Sequence, residues 1–327
     1  MVAATRDSGI STVQCRAPEV HPSGALVDIS ITNVHLDLGA GRRGTDMGPS
    51  AIHVAGLVPH LEEMGHHVDQ VESFLVEAAE GTREGDPSAR YLAVIARLCA
   101  RIADKVEADC EVGRFPLVLG GDHAQAIGTI SGLARFWKKQ GKRVGVVWVD
   151  AHTDMNTPAS SPSGNIHGMP LAVLLGHGPK VLTALAGDTP ALDPRDVVVI
   201  GARAVDSTET PLVRETGVRV YTMSELDRKG TSACVAEAFE HIGDDVAGIH
   251  LSFDLDGVDP NDAPGVGTPV PGGLSLRESH LICETAASSG RLIGMEIVEL
   301  NPTLDLENKT GRLSVWLIES ALGRTIL

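Results

Sequence analysis

The chain has no apolar run long enough to cross a bilayer, which excludes a single-span or polytopic helical membrane protein. It has few cations for its acids, 27 Lys and Arg against 43 Asp and Glu, for a net charge of −16. That balance argues against nucleic acid or an anionic membrane surface as a partner and suits a cationic ligand. The five cysteines (Cys15, Cys99, Cys110, Cys234, Cys283) are scattered, odd in number and form no CxxC or zinc-finger spacing. They read as reduced, packed thiols of a cytoplasmic protein. The first residues lack the basic start and apolar core of a secretory signal and are mixed in charge, so residues 1–27 are expected to be a loose polar extension. There is no internal repeat and no Pro/Gly/Ser linker dividing the remainder, so residues 28–327 are expected to be one domain.

What is present is an alternation. Seven short runs rich in Val, Ile and Leu (VDISITNVHL, FPLVLG, VGVVWVD, VVVIGA, VRVYT, GIHLSFDLD, GRLIGMEIVEL) are separated by amphipathic segments such as RYLAVIARLCARIADKVEA and AQAIGTISGLARFWKKQG. Near-continuous apolar strands are buried on both faces, and alternation with helices makes them parallel. The fold class is therefore α/β: a three-layer αβα domain around a mostly parallel sheet. The stretches 77–88 and 187–195 read as surface loops.

In such a sheet the ligand sits beyond the carboxyl ends of the strands. Four of those ends are polar: Asp122-His123; Asp150, His152 and Asp154; Asp254 and Asp256, followed by Asp259; and Glu299. Residues two apart on extended chain share a face, so each DxHxD or DxD run is expected to converge on one point. Four carboxylates gathered at one mouth repel and raise each other's pKa unless a cation intervenes. Two divalent cations would balance them, with two imidazoles as neutral ligands, and an oxygen-rich set with some imidazole suits Mn²⁺ better than Zn²⁺. Co²⁺ and Fe²⁺ remain open. A two-metal site would lower the pKa of a shared water. His167 lies on the following loop, where a histidine that is not a ligand can shuttle protons, and Glu299 offers a spare carboxylate to a cationic substrate group.

One rival signal is GAGRRG (39–44), which matches GxGxxG after a strand. In a dinucleotide site the helix begins within the motif, whereas here TDMGPS intervenes and Pro49 suits the first helical position. The glycines are expected to form a loop at the rim of the site, with a single helix over AIHVAGLVPHLEEMG and with Arg42 and Arg43 solvated or fixing the loop.

The motifs GGDHA (120–124), DAHTDMNTP (150–158), SGNIHGMP (163–170), SFDLDGVDP (252–260), GTPVPGG (267–273) and EIVELNP (296–302) occur in this order. On these, the chain from about residue 28 onward resembles the ureohydrolase family, its arginase branch more than its agmatinase branch. The resemblance implies two Mn²⁺ per subunit. One would be held by His123, Asp150, Asp154 and Asp254, the other by Asp150, His152, Asp254 and Asp256, with Asp150 and Asp254 bridging. It implies attack of a metal-bridging hydroxide on the guanidinium carbon of L-arginine, giving L-ornithine and urea. Asp154 would accept a hydrogen bond from the hydroxide, Glu299 would orient the guanidinium, and His167 would shuttle a proton.

The resemblance also assigns the substrate's α-carboxylate to Asn156, Ser163 and Asn165. It assigns the α-amino group to Asp206, with Glu209 a further candidate, and gives Thr268 a place at the rim. Arginases usually carry an acid where this chain has Ala204. A sibling amidinohydrolase, acting on agmatine or on another guanidino acid, and a metal-binding sensor without catalysis are the alternatives. A homotrimer or homohexamer is implied.

Overall fold

The computed structural model describes residues 26–325, so the expected polar extension lies almost wholly outside the described residues. Eight strands form one parallel sheet: β1 (Asp28–His35), β2 (His67–Leu75), β3 (Phe115–Leu119), β4 (Arg143–Val149), β5 (Val197–Ala202), β6 (Arg219–Thr222), β7 (Val246–Asp254) and β8 (Leu292–Val298). Their order across the sheet is β2-β1-β3-β8-β7-β4-β5-β6, every pairing parallel. The chain winds outward to β2, returns through β3, winds outward again to β6, and fills the centre last with β7 and β8. Four adjacent strands, β3, β8, β7 and β4, thus bring their carboxyl ends together.

Alternation of side chains divides the core into two layers. Ile29, Ile31, Leu117, Val147, Val149, Leu251 and Ile297 face the helices Gly48–Val54, Thr231–His241, Leu276–Ser288 and Lys309–Ala321. Val34, Val118, Val146, Trp148 and Val199 face the helices Leu92–Glu111 and Ala126–Lys138. Strands sandwiched on both sides need apolar residues at every position, which is why they stand out as unbroken runs. The helix Leu276–Ser288 starts where its sequence says it should. Ser275 and Glu278 form a reciprocal capping box that satisfies two backbone donors.

Two expectations need correction. β2 is absent from the strands read off the sequence. It is an edge strand in which only Phe74 is buried, and Asp69, Gln70 and Glu72 give it a polar composition. The single helix expected over AIHVAGLVPHLEEMG is two, Gly48–Val54 and Leu57–Glu63, because Gly56 takes φ +94°, outside the helical region.

Candidate metal centre

The acids and histidines singled out at the strand ends do meet, though not because the chain is extended. β4 stops at Val149, and residues 150–156 form an irregular turn in which Asp154 takes φ +51°. Asp150 Oδ1 accepts the His152 N–H at 2.7 Å, folding the chain back on itself. After β7 the turn Leu255–Gly257 does the same, with Asp254 Oδ1 accepting the Asp256 N–H at 2.7 Å. These Asx turns, rather than the two-residue pleat, aim the side chains together.

The geometry is a double cluster. His123 Nδ1 lies 3.3 Å from Asp150 Oδ2, 3.2 Å from Asp154 Oδ2 and 3.1 Å from Asp254 Oδ2. His152 Nδ1 lies 3.3 Å from Asp150 Oδ1 and 3.1 Å from Asp256 Oδ2. The donor atoms of His123, Asp150 and Asp254 lie within 4.8 Å of one another, as do those of Asp150, His152 and Asp256. Asp150 belongs to both groups and turns one carboxylate oxygen to each.

The electrostatics favour a cation. Asp150, Asp154, Asp254 and Asp256 are all buried, and among the described residues their side-chain ion pairs are to histidines alone. Burial and the Asp150 charge push Asp154 up to about 7. Burial, with the charges of Asp256 and Asp150, holds Asp254 well above the usual carboxylate range. Burial also acts against Asp150, but hydrogen bonds from His123 and His152 hold it well below its ordinary value. The imidazoles respond in kind. Against desolvation, the three facing aspartates keep His123 well above its usual value, and Asp256 and Asp150 push His152 up to about 12. Asp154 would thus take up a proton near neutrality, whereas a divalent cation would keep it a carboxylate. The set is oxygen-rich with one imidazole in each group, and neither group includes a cysteine.

The remaining residues surround this cluster. Glu299 follows β8 with φ +66°, a costly conformation for a long side chain that is held here by its own N–H bonding to the Gly121 carbonyl. Glu299 Oε1 accepts from the His123 N–H at 2.9 Å and pairs with His167 Nδ1 at 3.0 Å. Glu299 Oε2 is buried with no partner among the described residues. Burial opposes both groups of this pair. His167 nonetheless rises to about 9 through the charge and hydrogen bond of Glu299, and Glu299 is lowered by His167.

Asn156, Ser163, Asn165, His167, Ala204, Asp206, Glu209 and Thr268 line one cleft with His152, Asp154, Asp254 and Asp256. The Asn156 amide donates to Asp206 Oδ2 at 3.0 Å, so one of its donors is already committed. Glu209 spends both oxygens on the loop, accepting from the Met155 and Asp206 N–H groups, so it braces Asp206. The Thr268 hydroxyl donates to Asp256 Oδ2 at 2.7 Å. An adjoining cleft takes in Ala40, Gly41 and Arg42 beside His167 and Glu299, so the glycine-rich loop does form the rim. Arg43 fixes that loop through Asp37 at 2.6 Å and Glu80 at 2.7 Å.

Several supporting residues are not visible in the sequence as functional. Trp148 stacks on His123 at 4.1 Å and donates its indole N–H to Asp150 Oδ2 at 2.9 Å. Behind His123, Nε2 meets Ser252 Oγ at 2.9 Å, and Ser252 donates to Glu296 Oε1 at 2.8 Å. This relay keeps the proton on Nε2 and leaves Nδ1 free for a metal. Trp148 and Ser252 sit two residues before Asp150 and Asp254, the only local signal that they share the ligand-bearing face. Asp122 acts as a cap, accepting from the Ala124 N–H at 3.1 Å and holding the rim through the Gly39 N–H at 2.7 Å.

Comparison with known proteins gives a consistent picture. A sequence model described as the Arginase family matches residues 27–323. The chain is 47% identical over 300 residues to an arginase of Brevibacillus brevis, covering 92% of this chain and 99% of that protein. Its fold superposes on the crystal structure of arginase from Bacillus caldovelox with a TM-score of 0.88 at 45% identity, and on that from Bacillus cereus with 0.86 at 46%. Each match covers 92% of this chain and 100% of the other.

Proposed function

The chain belongs to the arginase family of hydrolases acting on the guanidino group, and from that premise we propose that it is a two-manganese enzyme hydrolysing L-arginine to L-ornithine and urea. The observation that carries the reading is the double-facing Asp150 carboxylate, one oxygen toward each imidazole, inside a buried set of four aspartates. His123, Asp150, Asp154 and Asp254 would hold one ion. Asp150, His152 and Asp256 would hold the other, and Asp254, whose Oδ2 faces His123 and whose Oδ1 accepts the Asp256 N–H, would be shared between them. The ions, when bound, lower the pKa of a shared water so that hydroxide is available at neutral pH.

The rest is done by side chains. Glu299 Oε2, buried and without a partner, orients the guanidinium. Asp154 holds a proton of the attacking water. His167, tied to Glu299 through Nδ1, moves a proton to the departing amine through its other ring nitrogen. Asn156, Ser163 and Asn165 bind the α-carboxylate, Asn156 through the amide proton that Asp206 does not take. Asp206, braced by Asn156 and Glu209, receives the α-amino group. Ala204 lines this end without a polar atom, which favours one second reading, a guanidino acid altered at its amino end. We place the enzyme in the cytoplasm as a homotrimer or homohexamer; the four described thiols are free and buried, as suits a reducing compartment.

The test is urea release from a panel of guanidino compounds after loading with Mn²⁺. L-arginine is expected to be turned over and the activity to disappear with EDTA. Urea from agmatine or a modified guanidino acid but not from L-arginine would overturn the substrate assignment. No urea from any compound by the metal-loaded protein would favour a sensor.

His167→Ala should lower turnover about 10²-fold, the low end for general acid–base catalysis because water can enter the cleft in its place. Metal content, measured by atomic absorption, should stay at the wild-type level. Loss of metal in this variant would contradict the proton-transfer role.

A further inference from the structure

The segment 77–88, expected from sequence to be a plain surface loop, ends against the SGN loop of the cleft. The Arg90 N–H donates to the Gly164 carbonyl at 2.9 Å. Gly164 has φ +70° and no room for a side chain, since a Cβ there would meet the Pro87 carbonyl oxygen at 1.8 Å. The two loops are therefore packed backbone to backbone. From this platform the Arg90 side chain reaches the site. Its Nε lies 2.7 Å from Glu84 Oε1, and its Nη1 donates to Asn165 Oδ1 at 3.2 Å.

That contact has a chemical consequence. Arginine donates and never accepts, so it fixes which end of the Asn165 amide faces it. The oxygen is turned outward to Arg90, and the Nδ2 donors are left for the cleft. Asn165 Nδ2 has no hydrogen-bond partner among the described residues. It faces the rim loop, where a Cβ on Gly41 would come within 3.0 Å of it. Asn165 lines both adjoining clefts. A guanidinium behind the amide also polarises the donors toward an anion. The same cleft also carries Asp206, so it offers partners to both charges of a zwitterion.

We propose that Arg90 is a specificity-determining positioning residue, which orients Asn165 so that the cleft selects ligands bearing an α-carboxylate over their decarboxylated counterparts. This rests on the arginase reading above and assigns the preference to a residue 75 positions away from the amide it sets.

The experiment is calorimetric binding to the Mn²⁺-loaded protein of two ligands differing only in the carboxylate, L-ornithine and 1,4-diaminobutane. Arg90→Met should weaken L-ornithine about tenfold, in the range of a charge-assisted hydrogen bond lost from good geometry. It should leave 1,4-diaminobutane within a factor of two. Metal stoichiometry should be unchanged, and the loss in L-arginine turnover should lie in KM rather than kcat. Arg90→Lys, which keeps a donor, should recover part of the loss. Asn165→Ala, which leaves the Arg90–Glu84 pair intact, should reproduce it, and the double variant should add nothing further.

Wild-type L-ornithine affinity in Arg90→Met or in Asn165→Ala would overturn the proposal. So would equal weakening of both ligands, which marks a purely structural role. If Arg90→Met does not fold, Arg90→Lys and Asn165→Ala decide it by the same comparison. A wild-type protein that binds neither ligand would instead sink the arginase reading, and this inference with it.

Discussion

Asp150→Ala should lose both metal ions and all measurable urea release together. Asp150 is fully buried and, among the described residues, is the one carboxylate whose two oxygens face the two imidazoles separately, each at 3.3 Å. On the proposed assignment, removing it takes a ligand from both positions at once. Altering a group that merely supports a ligand costs about 10- to 100-fold in metal affinity, so losing a shared ligand exceeds that at each position. The truncation also frees the His152 N–H and the Trp148 indole N–H, both bonded to this carboxylate, leaving the buried indole donor unmatched. Asp150→Asn, which keeps the volume, should behave the same way and separates charge from packing. Metal per chain by atomic absorption, with urea release in parallel, reads the outcome. Retention of one ion at wild-type affinity would show that Asp150 does not serve both.

Glu299→Gln should keep both metals and lose roughly 10²- to 10⁴-fold in kcat/KM. Glu299 belongs to neither donor cluster, and its Oε1 is committed to the His123 N–H and to His167. Only the partnerless Oε2 is available to a guanidinium. Removing one charge of a buried pair costs about 3–5 kcal/mol, which sets the expected loss. His167 supplies an independent readout. Its pKa stands near 9 against desolvation because of the Glu299 charge. Neutralising Glu299 removes that support, so the His167 pKa must fall, and NMR titration of the ring should follow it downward. A variant with kcat/KM within fivefold of wild type would remove Glu299 from the substrate site.

Much of this centre is legible in the sequence, because acids and imidazoles gathered at the ends of buried strands must be offset by a cation or by one another. The αβα architecture follows from the same runs. The reason given by the two-residue period is nevertheless incomplete: Asp150, His152 and Asp154 converge through an Asx turn and a left-handed Asp154, not along a strand. β2 hides because an edge strand needs apolar residues on little of its surface. Ser252 and Glu296 hide inside strands, where a hydroxyl and a carboxylate look like faults in an apolar run until His123 is seen in front of them. Arg90 hides for a different reason. Its partner Asn165 lies 75 residues away, on a loop with no local pattern to announce the contact.

The most direct test is a titration of metal-free protein with Mn²⁺, following bound metal and urea release from L-arginine in the same samples. Urea release is expected to rise with the ions and reach its plateau at two per chain. A plateau at one ion per chain, or two bound ions with no urea from L-arginine, would contradict a shared two-metal centre acting on that substrate.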